Sequence, residues 1–233
     1  MIRAAALYAA ALLAACATPL PTPLAPPPAE APIRPDAATA ARNFTAVVAA
    51  LEPVAERECR ARAPRLDCDF RILVDDRPGQ PPNAFQTLDA AGRPVIGFTL
   101  ALIAETRNRD ELAFVLGHET AHHIAGHLAR TQGNALAGAL VFGTLAALTG
   151  APVDDVRAAQ DLGATVGARS YSKDFELEAD ALGTVIAWRA GFDPARGAEF
   201  FTRVPDPGNR FLGTHPPNSA RRAIVLQTLA TLR

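Results

Sequence analysis

The sequence predicts an α+β fold that is mostly α-helical. Strand-like runs occur only between residues 70 and 98, a helical pattern precedes them, and everything after Thr99 reads as helix. With 233 residues, of which 49% are hydrophobic, the chain is long enough to bury a core and fits one domain plus a short appendage.

The elements begin with a helix for which Asp36 is a good N-cap. This helix is expected to continue to about Arg62, and Pro53 is expected to kink or divide it. The runs that follow are short and separated by Asp, Pro and Gly turns, which predicts a small three-stranded sheet. Its strands are predicted at residues 70–74, 84–88 and 94–98. The later helices are predicted at residues 109–132, 154–169, 173–190, 194–204 and 217–232.

Residues 131–153 carry no charge. A bilayer span needs about 20 apolar residues, so length alone permits one here. The Gly and Ala content and the moderate apolarity favour a packed helix or hairpin, and membrane insertion is the alternative.

The charge balance excludes one class of partner. The chain carries 23 basic and 24 acidic residues, for a net charge of −1, and the basic residues form no run. Electrostatic nucleic-acid binding needs a positive patch, so no nucleic-acid partner is expected.

The N-terminal residues predict export. Arg3 is followed by an apolar stretch, residues 4–15, that is too short to span a bilayer as a mature helix. The stretch ends in Leu-Ala-Ala directly before Cys16, and this arrangement resembles the bacterial lipobox, in which the Cys becomes lipid-modified after cleavage. Residues 1–15 are therefore predicted to be a lipoprotein signal peptide, with membrane attachment through the lipid on Cys16. Ala17 at the next position resembles lipoproteins sent to the outer membrane.

Residues 16–35 are predicted to form a tether. Eight prolines lie between residues 17 and 35, with almost no large apolar side chains, so this segment cannot form a core and is expected to be extended. Residues 36–233 are predicted to form the globular domain, facing the periplasm.

Export also affects the interpretation of two cysteines. Eight residues lie between Cys59 and Cys68, and a periplasmic pair can oxidise whereas a cytosolic pair stays reduced. The sequence predicts a disulfide, which would stabilise the fold by roughly 2 to 3 kcal/mol on the chain-entropy model. Two separate buried thiols are the alternative.

The strongest functional signal is the run His118-Glu-Thr-Ala-His122. Residues four apart lie on one face of a helix, so the two imidazoles can bind one metal ion. Glu119 lies about 100° round the helix, where it can act as general base on a metal-activated water but cannot easily be a ligand. A catalytic zinc site needs a third protein ligand.

The third ligand has to come from elsewhere in the chain. The metzincin pattern would require Gly at position 125 and His at 128, but the sequence has Ala125 and Leu128. Further along, Glu176 and Asp180 share a helix face, whereas Glu178 lies about 200° from Glu176. One carboxylate could bind zinc while the other orients a ligand histidine through its free ring N–H.

These motifs carry a family resemblance. Residues 176–183 read Glu-Leu-Glu-Ala-Asp-Ala-Leu-Gly and begin 54 positions after His122; together with the first motif they resemble the HtpX-like and CAAX-prenyl-protease-type gluzincin family of zinc metallopeptidases. Further stretches similar to that family are residues 83–85, 110–113, 190–194, 214–217 and 221–222. The resemblance covers roughly residues 36–233 and is nearest to the periplasmic lipoprotein members, the BepA-like and LoiP-like proteins. It implies a zincin-like metalloprotease domain with an active-site helix.

The resemblance also implies roles for individual residues. In that family the first Glu of the ExxxD motif is the third zinc ligand, which implies one Zn²⁺ per chain held by His118, His122 and Glu176. Asp180 would then stand behind the ligands, and Glu119 would be the general base.

The family also has a histidine at the cleft where this chain has His215, and in one branch that histidine is viewed as a zinc-gating switch. His215 is our candidate catalytic donor to the developing oxyanion. The alternative is a helix-entry residue held by the two prolines that follow it.

Two further interpretations concern residues around the motif. His123 and His127 lie about 100° and 140° round the helix from His122, so a surface position or a place behind the ligands is favoured over ligation. The strand near residues 96–98 is interpreted as an edge strand that pairs with an extended substrate; a core strand is the alternative.

The sequence therefore predicts a zinc-dependent endopeptidase acting on misfolded or misassembled cell-envelope polypeptides, with outer-membrane assembly machinery as a further potential partner. An envelope chaperone or assembly factor with a gated, mostly silent zinc site is the alternative, although an intact Glu119 argues against a purely noncatalytic protein. A CAAX prenyl protease is disfavoured, because that branch carries several membrane helices and this chain has at most one candidate.

Overall fold

The computed structural model describes residues 34–232, which belong to one compact unit of the chain. The signal peptide, Cys16 and most of the predicted tether lie outside the described residues. The elements in chain order are α1 (Ala37–Arg62), β1 (Arg71–Asp75), β2 (Ala84–Leu88), β3 (Pro94–Thr99), α2 (Leu100–Glu105), α3 (Arg109–Ile124), α4 (His127–Leu148), α5 (Val153–Ser170), α6 (Ser172–Arg189), α7 (Pro194–Gly197), a 3-10 helix (Ala198–Thr202) and α8 (Asn218–Leu232). The predicted α+β, mostly helical fold is confirmed.

Helix α1 begins where the sequence indicates, because the Asp36 carboxylate accepts a hydrogen bond from the Thr39 backbone N–H at 2.9 Å. The predicted division at Pro53 is wrong, since α1 runs through it as one helix. Proline removes the hydrogen bond to the carbonyl of Ala49. Both residues are exposed, so water can satisfy that carbonyl.

The sheet has the strand order β1-β3-β2, with β1 parallel and β2 antiparallel to β3. The interpretation of residues 96–98 as an edge strand is wrong. Ile96 in β3 is opposite Ile72 on one side and Gln86 on the other, and every residue of β3 is buried. Among the described residues, β2 is paired on one side only, so it is an edge of the sheet.

The helix predicted over residues 109–132 is two helices. Helix α3 ends at Ile124 and α4 begins at His127, with Gly126 between them at a φ of 67°. This left-handed conformation ends α-helices and favours glycine. The break changes the direction of the chain directly after the motif that carries the histidines.

Helices α3 and α6 approach each other through two glycines. A Cβ atom added to Gly183 would lie 2.8 Å from the backbone nitrogen of His118, and one added to Gly117 would lie 2.8 Å from the carbonyl oxygen of Gly183. These helices pack beside α1 and the sheet around one hydrophobic core, which includes Ile96 and Ile186. The contact leaves no room for larger residues.

This close approach predicts that Gly183→Ala destabilises the protein by roughly 1–3 kcal/mol, the usual effect of overpacking. Chemical denaturation measures it directly. Gly133→Ala in α4 is the matched control, because a Cβ there meets nothing within 4 Å and removing a helical glycine stabilises by about 0.5–1 kcal/mol. Equal stability of Gly183→Ala and wild type would contradict the backbone contact.

A disulfide joins Cys59 near the end of α1 to Cys68 just before β1, and both cysteines are buried. It links the first helix to the entrance of the sheet.

Helices α4 and α5 form a hairpin, which is one of the arrangements that the sequence predicts for residues 131–153. Much of the surface of α4 is nevertheless exposed, because its buried residues are His127 and Gly143 alone. Helix α4 packs mainly against α5. Among the described residues it is the helix long and apolar enough, by length and composition, to cross a membrane.

Candidate metal centre

Three side chains converge between α3 and α6: His118, His122 and Glu176. The two histidine Nε2 atoms are 3.0 Å apart. Glu176 places Oε1 3.3 Å from Nε2 of His122 and Oε2 3.6 Å from Nε2 of His118. Ligand atoms at about 2.0–2.1 Å from a tetrahedral zinc ion are roughly 3.3 Å apart, so these separations are close to those that such an ion requires.

The donor set also has the right chemistry. Two imidazoles and one carboxylate form one of the ligand sets of catalytic zinc, which keeps a fourth position open. Burial alone would raise the pKa of Glu176, but hydrogen bonds from His122 and His215 and the nearby His118 and Arg221 charges outweigh it and hold the pKa well below its usual range. Glu176 is therefore available as a charged ligand.

Behind His118 stands an ion pair. The fully buried Asp180 carboxylate lies 2.9 Å from Nδ1 of His118 and accepts two hydrogen bonds from Arg221, each at 2.7 Å. Burial lowers the pKa of His118, but the hydrogen bond to Asp180 outweighs it and raises that pKa. A carboxylate in this position fixes the imidazole so that Nε2 faces the converging side chains and could bind a metal ion.

Arg221 is a site residue to which the sequence analysis assigned no role. Its Nη2 atom also lies 3.5 Å from Oε2 of Glu176, so one guanidinium contacts both carboxylates. The only signal in the sequence was the similarity of residues 221–222 to the gluzincin family.

His122 is backed by a second histidine. Its Nδ1 atom lies 2.8 Å from Nδ1 of His127, and Nε2 of His127 lies 3.1 Å from the Glu178 carboxylate, which also accepts a hydrogen bond from Arg130 at 2.8 Å. Burial lowers the pKa of His127 to about 4, so its ring is neutral near pH 7. The structure thus places His127 behind a candidate ligand, and Glu178 outside the three-residue cluster.

His123 has a different role. It is buried, its Nε2 atom lies 2.7 Å from the backbone oxygen of Asp67, and its ring stands edge-on to Phe70. The sequence favours a surface position or a place behind the ligands for His123, and the surface position is wrong. His123 instead holds the segment before β1 against α3.

Glu119 lines the same cleft as the three converging side chains and is half-buried. Burial raises the pKa of Glu119, which makes the carboxylate a stronger base. The neighbouring imidazoles lower the pKa in part. A carboxylate in the cleft with a raised pKa is a candidate general base.

His215 lies at the open side of the cluster. Its Nδ1 atom is 3.1 Å from Oε2 of Glu176, while about half of its side chain, 54%, remains exposed. The loop that carries His215 therefore brings an imidazole onto one of the candidate ligands.

The cleft around these residues has a volume of about 640 Å³. Its other polar lining includes Arg203, which makes two hydrogen bonds, of 2.8 and 2.6 Å, to the buried carboxylate of Glu111. Ala84 of the edge strand β2 also lines the cleft. Much of the rest is apolar: Leu102, Phe114, Val115, Phe200, Phe201 and Val204.

Comparison with known proteins agrees with this geometry. The model of peptidase family M48 matches residues 42–229. A "Putative beta-barrel assembly-enhancing protease" of Vibrio cholerae serotype O1 is 32% identical over 126 residues, which are 50% of this chain and 25% of that protein. A "Beta-barrel assembly-enhancing protease" of Yersinia pestis is 31% identical over 134 residues, 52% of this chain and 28% of that protein. The aligned segments thus span about a quarter of the length of these relatives.

Proposed function

Because the chain belongs to peptidase family M48 and is a metallopeptidase with a zincin-like fold, we propose that it is a zinc-dependent endopeptidase of the cell envelope. The observation that carries this proposal is the convergence of His118, His122 and Glu176 at the spacing of a catalytic zinc site. In this proposal these three residues hold one Zn²⁺, and Asp180 orients His118 from behind.

The proposed mechanism assigns the proton transfers to Glu119. Bound zinc would supply Lewis-acid polarisation of the scissile carbonyl and a lowered pKa of the attacking water. The Glu119 carboxylate accepts the proton of that water and returns it to the leaving amine nitrogen. The raised pKa of Glu119 favours the first of these transfers.

The substrate is proposed to be an extended polypeptide that adds to the edge of β2. Zinc peptidases generally bind peptides by strand addition, and β2 combines an unpaired side among the described residues with a position at the cleft through Ala84. The apolar lining near Phe114 and Phe201 favours apolar side chains beside the scissile bond. Such side chains are accessible in misfolded polypeptides.

The proposal also covers the location of the protein in the cell and its biological substrates. The names of both relatives concern β-barrel assembly, and Cys16 follows a lipobox-like sequence. We therefore include misassembled outer-membrane proteins among the substrates, outer-membrane assembly machinery among the partners, and anchoring at the outer membrane, facing the periplasm. Palmitate labelling in cells is expected to disappear in Cys16→Ala, and labelling that persists would remove the anchor.

Metal dependence tests the activity itself. The purified protein is expected to contain one zinc ion per chain and to cleave casein, to lose both properties on treatment with a chelator, and to regain both on addition of zinc. Cleavage by metal-free protein at the wild-type rate would contradict the proposal.

The contact between His215 and Glu176 favours a second candidate function, an envelope chaperone or assembly factor whose zinc site is gated. A hydrogen bond to a charged group contributes roughly 1.5–3 kcal/mol, which is enough to keep most molecules closed. In this reading His215 covers the candidate ligand until a substrate displaces it.

Replacing the histidine separates the two roles that remain open for it. We expect His215→Ala to raise basal casein cleavage about tenfold, because the imidazole that contacts Glu176 is removed. A fall in kcat with an unchanged KM would instead assign His215 to stabilisation of the oxyanion. Zinc content, measured in parallel, shows whether the metal is retained.

A further inference from the structure

The α4–α5 hairpin has an apolar face that the described part of the chain leaves uncovered. Five large apolar side chains of α4 are between 59% and 80% exposed: Leu136, Leu140, Val141, Leu145 and Leu148. A face of this extent is unusual on a protein surface and marks a contact with another protein or with lipid.

The two helices of the hairpin differ in their content of charged residues. Residues 131–153 contain no charged side chain, whereas α5 has exposed charges at Asp154, Asp155, Arg157, Asp161 and Arg169. The two backbones touch, because a Cβ atom added to Gly163 would lie 2.2 Å from the carbonyl oxygen of Gly138. Helix α5 therefore covers only one side of α4.

We propose that the exposed face of α4 is a membrane-docking surface that lies in the interface of a phospholipid bilayer. This rests on the proposed location at the cell envelope. Helix α4 has 22 residues and, by length and composition, is apolar enough to cross a membrane, so its exposed face is also apolar enough to contact lipid. The charges of α5 disfavour insertion of the whole hairpin across the bilayer, so α4 lies along the membrane with α5 toward water.

The chain outside the described residues points to lipid rather than to another occupant. Eighteen residues, 16–33, separate the predicted lipid attachment at Cys16 from Arg34. A tether that is extended, as its prolines predict, covers roughly 3.1 Å per residue, so it would hold the domain within about 56 Å of the bilayer. A weakly docking face at that distance meets lipid at a high effective concentration.

Docking would also hold the cleft close to the membrane surface, since α4 begins at His127, which contacts the candidate ligand His122. Polypeptides emerging from or failing to enter the bilayer would then be presented to the site.

Vesicle flotation tests the docking surface. Protein that begins at residue 17, and so lacks both the apolar signal peptide and the lipid anchor, is expected to float with vesicles of phosphatidylethanolamine and phosphatidylglycerol. Adding Leu140→Asp and Leu145→Asp is expected to reduce the bound fraction at least tenfold, because aspartate is far less favourable than leucine in contact with lipid. Leu226→Asp in α8 is the matched control, since Leu226 is also exposed but lies outside the hairpin.

Two outcomes would overturn the docking surface. One is flotation that is equal with and without the two aspartates. The other is a failure to float combined with a dimer, seen by light scattering, that the two aspartates dissociate, because the face would then join two copies of the chain. Casein cleavage is measured on the same variants and is expected to be unchanged, so a failure of docking is distinguishable from a failure of the proposed protease activity.

A second observation, independent of the hairpin face, concerns the hydrogen bonds behind His122. If Nε2 of His122 faces the metal, its Nδ1 carries the proton and donates to Nδ1 of His127. The proton of His127 must then be on Nε2, where it is donated to Glu178. In this series of hydrogen bonds each donor has one acceptor, and this determines the tautomer of both histidine rings.

From this geometry we infer that His127 is a positioning residue that orients His122 for metal binding, a role that rests on the proposed zinc site. The two candidate ligand histidines are thus oriented in similar ways, each by hydrogen bonds that end on a carboxylate. His118 donates directly to Asp180, whereas His122 reaches Glu178 through a neutral imidazole. The ring of His127 is itself fixed, because it stacks on Phe175 at 4.6 Å between ring centres with an interplanar angle of 12°.

Zinc affinity tests this role with two variants of nearly equal size. His127→Leu removes the acceptor and is expected to weaken zinc binding at least tenfold, as is usual when a partner behind a metal ligand is lost. His127→Asn places a carbonyl oxygen near the former Nδ1 position and is expected to stay within about threefold of wild type. Affinity is measured by competition with a chelator, and thermal unfolding of the metal-free proteins checks the fold.

Equal zinc affinities of the leucine and asparagine variants would overturn the inference. If neither variant folds, Glu178→Ala provides the test at the exposed end of the chain of hydrogen bonds. It is expected to weaken zinc binding by less than tenfold, and an affinity unchanged from wild type would overturn the inference equally.

Discussion

Glu119→Gln is expected to reduce kcat for casein cleavage by about 10²- to 10⁴-fold, the range that general acid–base catalysis contributes. Glutamine has nearly the shape of glutamate but cannot accept the proton of the attacking water. Zinc content is expected to stay at one ion per chain, because Glu119 is not among the three converging donor groups. Steady-state kinetics and metal analysis on the same sample measure both quantities.

The control for this variant is Glu56→Gln, the same substitution in α1, where Glu56 makes a surface ion pair with Arg60. Surface pairs of this kind contribute little, so activity and zinc content are expected to match the wild type. A Glu119→Gln protein that binds zinc and cleaves casein at the wild-type rate would eliminate the proposed mechanism.

Glu176→Ala is expected to have the second large effect, the loss of both zinc and activity. It removes one of the three donors, so affinity should fall by more than the roughly 10- to 100-fold typical of residues that stand behind the ligands. Glu178→Ala changes the same residue type two positions away and is expected to retain one zinc ion when the metal is in excess. Zinc content after dialysis against a weak chelator distinguishes the two variants.

Loss of zinc from Glu178→Ala but not from Glu176→Ala would overturn the choice of third ligand. In that case His127, which contacts Glu178, would have to be reconsidered as part of the metal site.

The elements of the fold were predictable because their signals are local. Strand β2 has the bounds that the sequence predicts, and α1 begins after its N-cap Asp36. Helical periodicity likewise indicated the face shared by His118 and His122. Such signals depend on neighbours within a few positions, and these are visible in the sequence.

Features that depend on distant contacts were not predictable in the same way. Strand order is set by pairing between separated segments, so the sequence could not show that β3 is central. For a related reason the sequence left two positions open for His127, the surface and a place behind the ligands, and only the fold decides for the second. The left-handed Gly126 ends α3, and the chain reverses enough for His127 to meet His122, whereas a continuous helix would have kept the two rings about 140° apart.

The sequence by itself determined the fold class, the metallopeptidase family and the two motifs that supply candidate ligands, because each is a pattern of residue types at short spacing. Only the tertiary structure decided what stands behind those ligands. Arg221 reaches Asp180 and Glu176 from 41 and 45 positions away in the chain, and Glu178 reaches His127 from 51. Contacts of that kind arise from helix packing, here of α8 and α4 against α6, and no short spacing in the sequence records them.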